Sequence, residues 1–343
     1  MKKTLFIMLL CLVLPGASFA GPKWDIGENS WLQLSFLGQA HYSFLEDAVD
    51  EKDFYLRRGR IILSGQIMDG VKIFMETDND NHGNDNKNET VSTDIQDAFV
   101  DIRLGKKDWC WVKAGLIMLP FSFENASSAA SLLGIDYNSE VLKLSNSFVW
   151  RDYGVEIHGS FGEKFAYQAG VFDGYNANEE ADLRFTGHIA FNPIGNVGSS
   201  WFHSQNRLSR DTYLSIGAGF DTQNKANISD TFVEYDSEAW VIDAQSGFDL
   251  GEHMGLTVNG AYYYWDNLAY EGNTMFVETG LLFLEKYQAT VKWSNQDPDS
   301  GADAVDYTYG LHYFHKEHNL RGGIEYRNGD SSDWILLGIQ LLI

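Results

Sequence analysis

The stretch Gln96-Asp97-Ala98-Phe99-Val100-Asp101-Ile102-Arg103-Leu104 decides the fold. Gln96, Ala98, Val100, Ile102 and Leu104 make a face that turns apolar, while Asp97, Asp101 and Arg103 occupy the other. Successive side chains of an extended strand point to opposite faces, so this stretch reads as a strand between an apolar medium and a polar one. The same dyad returns at Leu183-Phe185-Gly187-Ile189-Phe191, Leu214-Ile216-Ala218-Phe220, Tyr287-Ala289-Val291-Trp293 and Leu320-Gly322-Ile324-Tyr326. The chain ends the same way, with Ile335, Leu337, Ile339, Leu341 and Ile343 on one face.

Each such run is about ten residues, the length that crosses a bilayer when a strand is tilted. Sixteen strands are expected, at 31–45, 53–67, 70–77, 94–105, 108–118, 150–160, 164–173, 182–192, 210–221, 238–249, 254–266, 274–284, 286–295, 305–316, 319–328 and 333–343. Turns such as Met68-Asp-Gly70 and Gly162-Glu-Lys164 are short and alternate with long polar loops. Aromatic residues gather near strand ends, at Tyr262 to Trp265 and at Tyr307, Tyr309 and Tyr313. A secreted β-sandwich also alternates. Aromatic girdles with short periplasmic turns and longer extracellular loops favour an all-β transmembrane antiparallel β-barrel. A barrel of about sixteen strands is too wide for side chains to fill and leaves an aqueous lumen.

The first twenty residues carry the address. Lys2 and Lys3 precede the apolar run Thr4 to Leu14, and Pro15-Gly-Ala-Ser-Phe-Ala20 ends in small residues placed for cleavage before Gly21. That run is a signal peptide, because it is well short of the ~20 residues a spanning helix needs. Residues 1–20 are thus read as the signal and 21–343 as a barrel in the outer membrane of a Gram-negative bacterium. Cys11 leaves with the signal, and Cys110 remains without an internal disulfide partner. The chain carries 25 Lys and Arg against 48 Asp and Glu, and loss of Lys2 and Lys3 takes its formal charge from −23 to −25. Nucleic acid is excluded as a partner, since phosphates demand a basic face.

Six stretches carry a family resemblance. Asp53-Phe-Tyr-Leu-Arg-Arg-Gly-Arg-Ile-Ile-Leu-Ser-Gly65 resembles the second-strand motif of the phosphate-selective porin O and P family, an aromatic, then Leu-Arg-Arg-x-Arg, then an apolar pair and Ser/Lys-Gly. Ile95-Gln-Asp-Ala-Phe-Val100, Ala114-Gly-Leu-Ile-Met-Leu-Pro-Phe-Ser122, Arg151-Asp-Tyr-Gly-Val155, Ala169-Gly-Val-Phe-Asp-Gly174 and Ser215-Ile-Gly-Ala-Gly-Phe220 follow in the family's order. The resemblance implies a homotrimeric porin whose third long loop, here 119–149, folds into the lumen, with arginines guiding anions to a constriction.

Strand parity places Arg58, Arg60, Lys72, Arg103, Lys113, Arg184, Lys292, Arg321 and Arg327 on the lumen side, and the third loop adds Lys143. Such cations attract oxyanions. The same parity also brings in Glu76, Asp97, Asp101, Asp152, Glu156, Asp243, Glu278 and Glu325, so each cation has an acidic neighbour to pair with. Anion or phosphate preference, a weakly selective general pore and cation preference all remain open, as does a structural or adhesive barrel that passes no current. Arg57 falls on the opposite face near the rim, positioned for lipopolysaccharide phosphate. The partners expected are outer-membrane lipid, lipopolysaccharide and small anions or hydrophilic solutes.

Asp78-Asn-Asp-Asn-His-Gly-Asn-Asp-Asn-Lys-Asn-Glu89 fits the calcium-loop template except at His82, with Asp78, Asp80 and Glu89 as its ligands. It joins two expected strands and lacks flanking helices, so divalent-ion binding by an acidic extracellular loop is the broader expectation, and no other cofactor is expected. No nucleophile elbow, zinc-protease or dinucleotide pattern is present, and no enzymatic activity is expected. The small residues before Gly21 predict a mature protein that starts there. Intact mass of the membrane-extracted protein checks this, and a mass that includes residues 1–20 would refute it.

Overall fold

The computed structural model describes residues 21–45, 52–79, 92–144, 150–175, 181–195, 201–208, 211–227, 234–268, 270–331 and 333–343. The signal peptide expected at 1–20 lies outside them.

A short β1 (Lys23–Gly27) precedes a barrel of sixteen strands. These are β2 (Ser30–Leu45), β3 (Lys52–Met68), β4 (Val71–Asp78), β5 (Asp94–Arg103), β6 (Trp111–Met118), β7 (Arg151–Phe161), β8 (Phe165–Phe172) and β9 (Arg184–Ile194). The ring continues through β10 (Tyr213–Asn227), β11 (Glu234–Asp249), β12 (Met254–Asn267), β13 (Tyr270–Phe283), β14 (Tyr287–Pro298), β15 (Ala304–Lys316), β16 (Leu320–Gly329) and β17 (Trp334–Leu342). Every sequential pair is antiparallel, and β17 closes on β2 from Trp334↔Leu45 to Leu342↔Leu37. β1 continues where β17 stops: Phe36 and Ile343 exchange backbone hydrogen bonds, Leu34 N donates to Pro22 O, and Trp24 pairs with Leu32. The last and first segments thus lie end to end along β2. β1 was not expected from the sequence, because five residues offer too short a period to detect.

All sixteen expected strands form. β10 and β13 run further toward the long loops than the alternation indicated, to Asn227 and from Tyr270. Ladder hydrogen bonds continue past the membrane into water, where both faces are wet and apolar periodicity disappears.

Exposure follows the dyad. On β5, Val100 and Ile102 are exposed at 41% and 43%, whereas Asp97 and Asp101 are at 0% and 1%. A polar interior and an apolar exterior invert a soluble protein's arrangement, as lipid outside and a lumen inside require. The aromatic run 262–265 obeys the same rule: Tyr262 and Tyr264 flank Trp240 on the outer face, while Tyr263 and Trp265 are buried inside. Half of that run therefore belongs to the lumen and not to the girdle.

Two facing glycines shape the inner wall. Gly115 on β6 pairs with Gly154 on β7. Gly115 has φ +140°, and a Cβ there would sit 2.1 Å from the Ala98 carbonyl oxygen. A Cβ on Gly154 would meet the Phe172 ring at 2.4 Å. Phe172 fills that space and packs with Phe74, Phe99, Ile117 and Leu119. Gly115→Val is expected to lower the temperature at which the barrel loses its compact form on an unheated gel. An unchanged transition would show that the wall has room to adjust.

Candidate functional site

The lumen is crossed by the loop between β6 and β7. Of the segment 119–149, residues 119–144 are described, and their apolar side chains pack on three parts of the inner wall. Leu119 joins the Phe74–Phe99 cluster, Phe121, Phe123, Val141, Leu142 and Leu144 pack on Val241, Tyr263, Trp265 and Phe276, and Ala129, Leu132 and Tyr137 pack on Leu37. A single 3₁₀ turn, Ala129–Ser131, interrupts it, with Ser128 Oγ accepting from Ala130 N.

Wall carboxylates hold the loop's backbone. Asp243 Oδ2 accepts from Phe123 N at 3.0 Å and Glu325 Oε1 from Ile135 N at 2.8 Å. Within the loop, Glu124 Oε1 accepts from Asn138 N at 2.9 Å. Arg321 Nη1 donates to Leu132 O at 2.8 Å, and Lys292 Nζ to Glu140 Oε1 at 2.8 Å. Glu325, Asp243, Arg321 and Lys292 thus position the loop, so they are not simply rungs for a passing ion.

Arg57 overturns its expected placement. The β2–β3 ladder shifts between Gln39↔Arg58 and Ala40↔Leu56, leaving Arg57 as the extra residue of a β-bulge. A bulge breaks the period of two, so neighbouring residues can share a face. Arg57 and Arg58 both turn inward onto Asp136 of the loop: Arg57 Nε and Nη2 donate to its carboxylate, and Arg58 Nη2 reaches Oδ1 at 2.8 Å. Arg58 Nη1 also donates to Gln39 Oε1 at 2.6 Å. Arg57 is therefore a loop anchor and not a rim residue for lipopolysaccharide.

The other expected cations are also engaged. Arg60 lies between Glu76 and Asp78, at 2.6 and 2.7 Å. Lys113 meets Glu156 at 3.0 Å, Arg184 meets Asp221 at 2.7 Å, and Arg327 meets Asp306 at 2.5 Å. Arg103 sits near the short-turn end against Asp69. Lys143 donates to Gln296 Oε1 and lies over the Tyr270 ring. Lys72 differs: its ammonium lies 4.4 Å from the Trp111 ring centroid and 5.8 Å from that of Trp201. Sequence parity missed Arg151, which shares its parity with outward Tyr153 and Val155 yet pairs with Asp97 at 3.0 Å. Trp150 just before it has φ +67°, which turns the strand's first residue.

Of the calcium-loop residues, Asp78 accepts hydrogen bonds from Arg60 and from the backbone of Asn79. Asp80 and Glu89 lie outside the described residues. Among the described residues, no group of three or more His, Cys, Asp or Glu side chains is placed to hold a metal.

A closed barrel with an apolar belt, a charged interior and an inserted loop defines an outer-membrane channel. The sequence profile of the family described as phosphate-selective porin O and P matches residues 35–233, and the chain belongs to that family. Solved structures similar in fold include a mutant porin of Rh. blastica, with TM-score 0.61 and 15% identity over 91% of this chain and all of that one. Another is Salmonella typhi OmpF in complex with daunomycin, with TM-score 0.64 and 12% identity over 92% of this chain and 98% of that one. The outer-membrane channel DcaP of Acinetobacter baumannii gives TM-score 0.60 and 14% identity over 94% of this chain and all of that one. No curated protein sequence matches. The barrel resides in the outer membrane of a Gram-negative bacterium.

Two loop carboxylates titrate in opposite senses. Burial works to raise the Asp136 carboxyl, but the Arg58 and Arg57 guanidiniums outweigh it and hold it well below its usual 3.8. Its contribution to docking is present above 3.8 and is lost as pH falls through the depressed value. Burial pushes Glu124 from 4.5 up to about 7, against the hydrogen bond from Asn138 and the charge of Lys292. Its contribution is full below 4.5 and is lost as pH rises through about 7. Protease protection of the loop is expected to weaken on both sides, and Glu124→Gln to remove the alkaline limb while leaving the acid one. Asp136→Asn is expected to loosen the loop even at neutral pH, by leaving Arg57 and Arg58 without their carboxylate. Wild-type protection in that variant would refute the anchor.

Proposed function

We propose that the protein is a weakly selective diffusion channel for small hydrophilic solutes, with the loop 119–149 as its constriction. The pairing of its lumen cations carries this reading. Arg58, Arg60, Lys113, Arg151, Arg184, Lys292 and Arg327 each contact a carboxylate. A paired guanidinium projects little net charge along a pore, so the field there alternates in sign over short distances and screening confines it further. Such a lumen orders water and rejects apolar solutes without strongly sorting ions by sign.

Anion preference is the second reading, and Lys72 and Arg321 favour it. Lys72 is held over indole rings, and Arg321 donates to Leu132 O and Gln340 Oε1. Both retain positive charge that no carboxylate hydrogen bond offsets in these contacts. The assembly proposed is a homotrimer in contact with lipid and lipopolysaccharide, as the family resemblance implies. The function is transport without bond chemistry.

Reconstitution in a planar bilayer under a salt gradient tests the selectivity. A reversal potential near zero is expected, moving toward cations in Arg60→Gln because Glu76 and Asp78 are then released. Neutralising both acids in the same variant is expected to restore the original value. A large anion-directed potential in the wild type, abolished by Lys72→Gln or Arg321→Gln, would replace this reading by the second. Absence of current would point to a structural barrel.

A further inference from the structure

The connection between β9 and β10 departs from the rest of its end of the barrel. It spans 195–212 where other connections at that end are as short as 162–164 and 284–286. Its described part, Trp201 to Leu208, enters the lumen. Trp201 and Phe202 pack on Phe74 and Phe99, and Trp201 Nε1 donates to Asp101 Oδ2 at 2.7 Å.

The segment then joins the inserted loop as a strand would. Ser127 and His203 form a parallel bridge, with Ser128 N donating to His203 O at 2.8 Å and His203 N to Ala126 O at 2.9 Å. Asn206 N donates to Ser131 O at 3.0 Å, and Gln205 Nε2 to the buried Glu124 Oε2 at 2.5 Å. The opposite wall completes the attachment: Asn259 Nδ2 donates to Gln205 O, Asn206 Nδ2 to Gln288 Oε1, and His318 Nε2 contacts Asn206 O at 2.6 Å. Gln205 and Asn206 are 1% and 0% exposed.

These contacts run from β4 and β5 to β12 and β14, across the barrel. A cavity of about 360 Å³, lined by Trp31, Lys72, Asp101, Trp111 and His158, lies on the short-turn side of Trp201. A smaller cavity of about 10 Å³ lies beside Gln39, His41, Ile135 and Arg321, where the loop meets β2, β15, β16 and β17.

We propose that residues 201–208 are a second constriction element, entering from the end opposite the loop's own attachment and setting the size limit of permeation jointly with it. The loop's side chains reach the wall at three places, and the segment adds backbone partners for its stretch 126–131. With the segment bound, its backbone from Ala126 to Ser131 is paired, so the narrowest section is bounded by two segments that cannot move independently. A solute is then selected by its cross-section at this joint, which the buried Gln205 and Asn206 hold in place.

The inference rests on the channel reading, and the experiment separates the two. Residues 197–210 are replaced by an Asn-Gly turn, which suits a tight hairpin between β9 and β10. The variant is accepted only if it remains a heat-modifiable barrel. Single-channel conductance is expected to rise roughly twofold or more, as pore cross-section governs ion flux, and liposome swelling is expected to admit larger sugars. A folded deletion variant with wild-type conductance and wild-type sugar cut-off would overturn the proposal alone. No current from either protein would overturn the proposal together with the channel reading.

A Ser127→Cys, His203→Cys pair in a Cys110→Ser background reads the placement without ion flow. Adjacent strands lie about 4.8 Å apart, within the span a disulfide bridges. Oxidation is expected to give a reducible shift in gel mobility for the folded protein. Failure to cross-link in the folded barrel would refute the joint even if deletion changed conductance.

Discussion

In hydrocarbon no water is available to satisfy a backbone N–H or C=O, so a sheet that spans a bilayer must close without an edge. The rest of this structure depends on that constraint. It requires β17 to pair with β2, and where β17 ends at Leu342 it leaves the lower part of β2 with an open side. β1 takes that place, with the Phe36–Ile343 and Leu34–Pro22 hydrogen bonds joining one segment to the next. Closure also fixes parity around the ring, and parity decides which half of every strand meets lipid.

The polar half then creates a second problem. Carboxylates and guanidiniums brought into a narrow lumen are poorly hydrated, and each is stabilised only if it finds a partner of opposite charge or a hydrogen-bonding backbone. Neighbouring strands supply many of these partners: Arg60 with Glu76 and Asp78, Lys113 with Glu156, Arg184 with Asp221. The inserted loop takes up others. Asp136 meets Arg57 and Arg58, Glu140 meets Lys292, and the loop's own amides meet Asp243 and Glu325. Charge that a conduction ladder would leave free is used here to position the loop.

Apolar packing gives the loop its precision where hydrogen bonds give it direction. Tyr263 and Trp265 stack with ring centroids 5.2 Å apart and receive Phe121, while Thr274 Oγ1 links the Trp265 indole to the Val141 carbonyl. A pore wall thus contains a patch of ordinary protein core. That patch sits where the sequence has four consecutive aromatics, 262–265, and the strand's period sends them alternately to lipid and to lumen.

The sequence by itself determined the barrel, the sixteen strands and the inward parity of Arg60, Lys113, Arg184 and Arg327, because all of these follow from a period of two sustained over about ten residues. It could not reveal the bulge at Arg57, since Arg57, Arg58 and Gly59 leave no apolar residue to mark which face is which. Nor could it show that Arg151 turns inward after Trp150, or that β1 extends the last strand. Residues 201–208 carry no periodicity at all; their backbone hydrogen bonds go to 126–131, far away in the chain. Pairing between distant segments depends on which surfaces closure brings face to face. Only the tertiary structure decided that, and with it which charges stay free in the lumen and which are used to hold the loop in place.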